Sequence, residues 1–284
     1  KVGIENNVTS YTYNHSQQLT ETNRADGTRI TFEHDTGGRP SSTVIGRGAN
    51  RFSYVPATGQ LASLESADGV NTFLGYSGEL LTEIRWEVAV QGKVNLTYDR
   101  NARIRTVVVN EDAIETAFDA DGAMIQVGSL SFTYDPATGI LTDAEIGQVR
   151  TTWTYNAFAE PASTTITVGG VPLLTINYQR DKLGRITRKT ETERAVTSVF
   201  DFTYDEVGQL TTVVKNSAET TTYTYDLSGN RLTRNSSGSN QIGAYDAQDR
   251  VITYADASFG YTAAGDLVTR IQGGETTRYA YDEL

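Results

Sequence analysis

Cysteine is absent from this 284-residue chain, which removes disulfide frameworks and thiolate metal sites from consideration. Histidine occurs twice and proline five times, so imidazole chemistry has little to work with and proline-rich linkers are excluded. Basic residues are outnumbered, 24 against 35 acidic, for a net charge of −11. Such a chain repels phosphate backbones, which argues against a nucleic-acid or anionic-membrane binder. No stretch approaches the roughly 18 apolar residues that a membrane helix needs. The best run, Val168–Ile176, is broken by Gly169, Gly170 and Pro172. Neither an initiator methionine nor a basic-then-apolar leader stands at Lys1, so the expectation is a processed, trimmed or partial chain. At 38% hydrophobic and 21% charged, it is too apolar for a disordered segment.

What is present points to strands. Threonine occurs 41 times and tyrosine 16 times against 9 phenylalanines, and both suit a pleated, half-buried surface. A repeat runs the length of the chain: FTYDPATGIL at Phe132–Leu141, FTYDEVGQL at Phe202–Leu210, YTYDLSGNRL at Tyr223–Leu232, LTYDRNARI at Leu96–Ile104. With the tyrosine as anchor, the series is Tyr13, His34, Tyr54, Tyr76, Tyr98, Phe118, Tyr134, Tyr155, Arg180, Tyr204, Tyr225, Tyr245, Tyr261 and Tyr281, spaced by about 20 residues.

Each repeat has a physical reading. A second large side chain stands two residues before most anchors, with threonine often between, the period-2 signature of a strand. Asp or Asn follows the anchor, where its side chain opens a type I turn by accepting the backbone N–H two residues on. Glycine then closes the turn where positive φ is required: Gly38, Gly122, Gly184, Gly208, Gly229 and Gly265 in the short form, Gly59 and Gly139 in a form one residue longer. Gln17, Ala102, Ala159 and Asp249 take that slot in four repeats, so those turns are either strained or differently built. An aliphatic residue restarts the alternation, as at Leu61, Ile104, Ile186 and Leu210.

One repeat is therefore strand, tight turn, strand. No segment keeps a 3.6-residue period with caps. Leu81–Val90 comes nearest, yet Trp86, Val88 and Val90 alternate like a strand. The wide intervals on either side of Arg180 predict longer hairpins, at Val168–Leu174 and Glu191–Val196, rather than linkers.

Tandem hairpins marked Tyr-Asp-x-x-Gly, with QRDKLGRIT at Gln179–Thr187 and YDAQDRV at Tyr245–Val251, resemble the YD-repeat family. It includes bacterial Rhs proteins, the C component of insecticidal toxin complexes and the YD shell of teneurins. The resemblance covers Tyr11 to Leu284. It implies an all-β fold in which repeats of about 20 residues form a spiralling sheet, part of a hollow shell, with essentially no helix. In Rhs and toxin-complex members the shell encloses a variable C-terminal toxin, and a downstream self-cleaving core separates the two. Nothing in this sequence matches that core, so no catalytic residue is carried over. The organisation expected is a single continuous array over residues 1–284, truncated at both ends, edge-exposed and prone to association.

Other chemistry finds little support. His15 and His34 lie at repeat turns, and Asp35 beside His34 has no serine in a nucleophile motif. Gly75-Tyr76-Ser77-Gly78 lacks the G-x-S-x-G spacing, and Gly46-Arg47-Gly48 does not continue into a phosphate-binding pattern. Asp99, Asp119, Asp135, Asp205, Asp226 and Asp246 are turn residues before they are candidate glycosidase acids. Asp119-Ala120-Asp121-Gly122 opens like a calcium loop but lacks the third acid and the closing glutamate. Trp153, Tyr155, Tyr223 and Tyr225 have the faces to stack on sugars, although their spacing is equally what a buried sheet face requires. Sequons at Asn7, Asn14, Asn95 and Asn235 are expected by chance in a chain this rich in Thr and Asn.

The expectation is a non-enzymatic structural segment of a YD-repeat shell, in a large exported bacterial protein that encloses or displays a C-terminal toxin polypeptide. The alternative is a cell-surface adhesion or carbohydrate-binding array. No catalytic, cofactor or metal residues are assigned. The expected partners are the enclosed toxin or other segments of the same polypeptide, together with a glycan or protein receptor, and the expected location is secreted or cell surface.

Overall fold

The computed structural model describes residues 8–88 and 90–281. Among them are 27 β-strands, from β1 (Ser10–Tyr13) to β27 (Glu275–Arg278), and no helix. The chain divides into two units, one made of the residues up to Glu115 with those from Phe259 onward, the other of Thr116–Ser258. Within each unit strands pair antiparallel with their neighbours in sequence. In the second, β17 (Val171–Arg180), β18 (Ile186–Glu193), β19 (Val196–Tyr204) and β20 (Leu210–Lys215) form one such run. The two longer hairpins expected around Arg180 are there: β16 (Pro161–Val168) turns into β17 through Gly169-Gly170, and β18 into β19 through Arg194-Ala195.

Two turn types alternate. The anchor turn follows the tyrosine position. The opposite turn, at the other end of the hairpin, commonly has two residues, as at Ile45↔Gly48, Ile146↔Val149 and Gln272↔Glu275. Arg194 (φ 44°) and Ala195 (φ 71°) are both left-handed, the mirror-image turn whose twist matches that of the flanking strands. Val88 and Val90 do not continue a strand, because β8 (Leu80–Glu87) stops before them and they fall in the bend that leads to β9 (Gly92–Tyr98).

The anchors from Tyr13 to Tyr245 sit on β-bulges. The register slips between Thr203 and Tyr204, so that Tyr204 faces Leu210 while Thr203 faces Thr212. The same slip recurs before Tyr13, His34, Tyr54, Tyr76, Phe118, Tyr134, Tyr155, Arg180, Tyr225 and Tyr245. A bulge recurring at one position in each hairpin adds local twist at every repeat.

Alternation across the sheet is clear at these sites. Phe132, Trp153, Phe202 and Tyr223 are half-buried with their anchors, and the threonine between each pair is exposed. Hydroxyl contacts tie that exposed face together, Thr224 to Thr233 at 2.7 Å and Thr154 to Ser163 at 2.7 Å. Burial is shallow. Only Ile30, Ile45 and Ala257 among the apolar side chains fall below a tenth exposed, and no described side chain is fully buried. The chain exposes 18632 Å², where a compact monomer of 31.0 kDa exposes about 12,000 Å². A sheet covered by no second layer accounts for that excess.

Candidate functional site

The anchor turn is the most elaborated local structure in the molecule, and its parts recur from repeat to repeat. In Asp99–Arg103, Asp99 Oδ1 accepts the amides of Asn101 at 2.8 Å and Arg103 at 3.0 Å, and Oδ2 accepts Arg103 Nε at 2.8 Å. The Asp99 amide donates to the Arg103 carbonyl, and Ala102 donates back to Asp99. Asp35 with Arg39, Asp181 with Arg185 and Asp246 with Arg250 repeat the pattern. Asn14 and Asn156 accept the same pair of amides with a neutral side chain.

These bonds hold the carboxylates in the charged state. The Arg39 and Arg103 amides lower the Asp35 and Asp99 pKa values. Hydrogen bonds from the Arg185 and Asn230 side chains do so for Asp181 and Asp226.

The four non-glycine slots resolve in favour of strain. Gln17, Ala102, Ala159 and Asp249 adopt φ of 61°, 59°, 62° and 61°, the left-handed conformation that glycine adopts in the other repeats. The turn is conserved in geometry while the residue is not.

In seven repeats the anchor hydroxyl links the repeat to the one before. Tyr204 donates to the carbonyl of Ile186 at 2.7 Å, Tyr225 to Leu210 at 2.8 Å and Tyr245 to Arg231 at 3.0 Å. Each acceptor is the residue that pairs with the preceding anchor across its bulge. Tyr54, Tyr98, Tyr134 and Tyr155 make the equivalent bond to Pro40, Leu81, Met124 and Leu141. At Arg180, where the sequence departs from the pattern, the guanidinium donates to the Pro161 carbonyl at 3.2 Å and takes over the tyrosine's role. The turn arginine then packs on the next anchor, Arg39 lying 4.3 Å from the Tyr54 ring centre and Arg185 4.9 Å from that of Tyr204.

The sequence contained a signal for this network: arginine four residues after the turn aspartate at Arg39, Arg103, Arg185 and Arg250. Motif reading centred on Tyr, Asp and Gly passes over it, and the hydroxyl bond has no sequence signature beyond the choice of Tyr over Phe.

Residues singled out for other chemistry lie apart from one another or inside this network. His15 is exposed in the first anchor turn and His34 closes β3 (Arg29–His34) at a bulge. Asp119 Oδ1 is bonded to the amides of Asp121 and Ala123 as a turn residue. Gly78 (φ 61°) stands in the anchor turn after Tyr76, with Gly75 and Tyr76 still in β7 (Asn71–Ser77). Gly46-Arg47 forms an opposite turn, and Arg47 pairs with Asp68 at 2.9 Å. Trp153, Tyr155, Tyr223 and Tyr225 are half-buried, with the Tyr155 and Tyr225 hydroxyls committed to carbonyls. Asn14 is bonded into its turn, Asn95 lies in β9, Asn235 is exposed in β22 (Arg231–Ser236), and Asn7 lies outside the described residues. Among the described residues no three His, Asp or Glu side chains converge as a metal site.

The family model for the Teneurin YD-shell matches residues 3–284. The chain belongs to that family. It is 23% identical to human Teneurin-4 and 25% identical to mouse Teneurin-3, over 91% and 90% of its own length. It spans only about a tenth of those curated relatives, 10% and 11%. Among solved structures, this YD-shell segment is similar to the pore form of the Photorhabdus luminescens Tc holotoxin, with a TM-score of 0.69 at 14% identity, over 95% of this chain and 18% of that one. It is also similar to TcdB2-TccC3 without its hypervariable C-terminal region, with a TM-score of 0.55 at 15% identity over 96% of this chain and 19% of that one. At such identities the likeness is one of fold, and it bears out the all-β repeat architecture.

Proposed function

We propose that this YD-shell segment is wall material: a length of sheet in an exported bacterial protein that encloses a toxic polypeptide carried further along the same chain. The observation that carries the reading is the uncovered sheet, 18632 Å² of surface with no fully buried side chain among the described residues, built from hairpins paired each with the next. A barrier needs area and lateral cohesion more than a deep core. The anchor turns supply the cohesion through the tyrosine hydroxyls, and their carboxylates are engaged in holding the turn rather than free to act on a substrate. We therefore read the segment as non-enzymatic. The similarity in fold to toxin-complex structures supports enclosure, and secretion or surface display follows from it.

The test is protease protection in the intact polypeptide. Trypsin digestion followed by mass spectrometry should leave the segment after the shell uncut while the protein is folded, and cut it once the protein is denatured. Equal cleavage in both states would show that nothing is enclosed. Binding on a glycan array by the folded protein, with that segment unprotected, would favour the adhesion reading.

A further inference from the structure

Glycine stands directly across the sheet from Trp86. The two are cross-strand partners, Trp86 near the end of β8 and Gly92 at the start of β9. A Cβ on Gly92 would fall 2.6 Å from Trp86 Cε2, 2.9 Å from Cη2 and nearer still to Cζ2. The indole therefore lies across the glycine, in space that any other residue would fill. Gly92 is not left-handed, so no turn accounts for it, and close approach of the ring does.

The ring borders an open groove of about 300 Å³, at the lower end of the range for small-molecule sites. The other walls come from Gln91, in the bend before β9, and from the turn Asn110-Glu111 that joins β10 (Ile104–Val109) to β11 (Asp112–Phe118). Asn110, left-handed at φ 56°, clasps the Lys93 peptide: its amide donates to the Lys93 carbonyl at 2.8 Å and its Oδ1 accepts the Lys93 amide at 3.0 Å. That bond fixes the Asn110 side chain beside the groove and leaves its Nδ2 hydrogens to donate. Glu87, Gln91, Lys93 and Glu111 are exposed around the ring. Arg85, paired with Glu87, and Lys93 are balanced by Glu87 and Glu111, so the groove carries no net charge.

We propose that Trp86 is the stacking platform of a binding site for a neutral pyranose sugar. Axial C–H bonds make one face of such a sugar apolar, and a ring seated on backbone offers a flat apolar surface to match it. The hydroxyls radiate from the edge of the sugar, where Asn110 donates and Glu87, Gln91 and Glu111 accept. An anionic sugar finds no surplus of positive charge to pair with. This site lies in the first unit, apart from Trp153, Tyr155, Tyr223 and Tyr225 in the second. It does not rest on enclosure, and it stands whichever way the protease test falls.

The chain has two tryptophans, so Trp153→Phe leaves Trp86 as the sole indole reporter. Fluorescence of that variant is titrated with methyl β-D-glucopyranoside, methyl β-D-galactopyranoside and N-acetylneuraminate. The expected result is a change that saturates within about 50 mM for at least one of the two neutral glycosides, and none for N-acetylneuraminate. Gly92→Ala, whose methyl group expels the ring, should weaken binding about ten-fold, and Asn110→Gly, which removes the donor but keeps the left-handed turn, about five-fold. Both are read by saturation-transfer NMR on the sugar, with circular dichroism to verify the sheet, and Asn110→Gly decides where Gly92→Ala does not fold. No saturation with either neutral glycoside overturns the proposal. So does unchanged affinity in a folded variant, or a preference for the charged sugar.

Discussion

A tyrosine at the anchor position supplies both a ring for the half-buried face and a hydroxyl that reaches the previous repeat. Removing only the hydroxyl separates the two contributions. Tyr204→Phe and Tyr225→Phe should each cost about 1 kcal/mol, the net worth of one hydrogen bond, read as a lower midpoint in urea at unchanged slope. Strain sits in the anchor turn, at the slot that glycine takes in most repeats. Ala102 and Ala159 at φ of 59° and 62° should gain up to about 1 kcal/mol on replacement by glycine, the relief of a left-handed conformation less the added chain entropy. An unchanged midpoint would place the strain elsewhere.

The turn aspartates set the pH response. Asp35, Asp99, Asp181 and Asp226 are held below the ordinary carboxylate value of about 3.9 in the folded chain. Their contribution is therefore complete above that value and is lost as pH falls through the lower folded values. Melting temperature should be flat through the neutral range and fall below about pH 4. Asp99→Asn should lower it less than Asp99→Ala, since Asn14 and Asn156 already accept the same two amides. Equal losses would mean that charge, not acceptor geometry, fixes the turn.

Among the elements, the hairpin is the part most legible in the sequence. Period-2 alternation, Asp and Gly at fixed offsets, and diglycine at Gly169-Gly170 are local signals with local causes, so strands and turns could be placed from them. The residues that break the pattern were less legible. Arg180 occupies a tyrosine position, yet its guanidinium reaches the Pro161 carbonyl, a function that side-chain class does not announce. Arg180→Tyr should keep the thermal midpoint of the native chain, while Arg180→Ala should lower it by several degrees in a melting experiment followed by circular dichroism. Val88 and Val90 misled because alternation persists in sequence after β8 has ended. The ion pair that Arg24 makes with Asp266 could not be foreseen, because no short-range pattern encodes a contact across 242 residues.

At the scale of the molecule, stability is distributed. With so few side chains below a tenth exposed, no central core dominates, and cohesion is a sum over adjacent hairpins, as in other repeat architectures. The aromatic and aliphatic side chains of the sheet stay half-covered unless something lies against them, which is the physical case for a wall with contents. The most direct test is electron cryomicroscopy of the intact polypeptide. The account predicts a wall one sheet thick over this segment, surrounding density that belongs to later residues of the same polypeptide. A map in which this sheet packs face to face on a second sheet, or in which the wall surrounds only solvent, would contradict it.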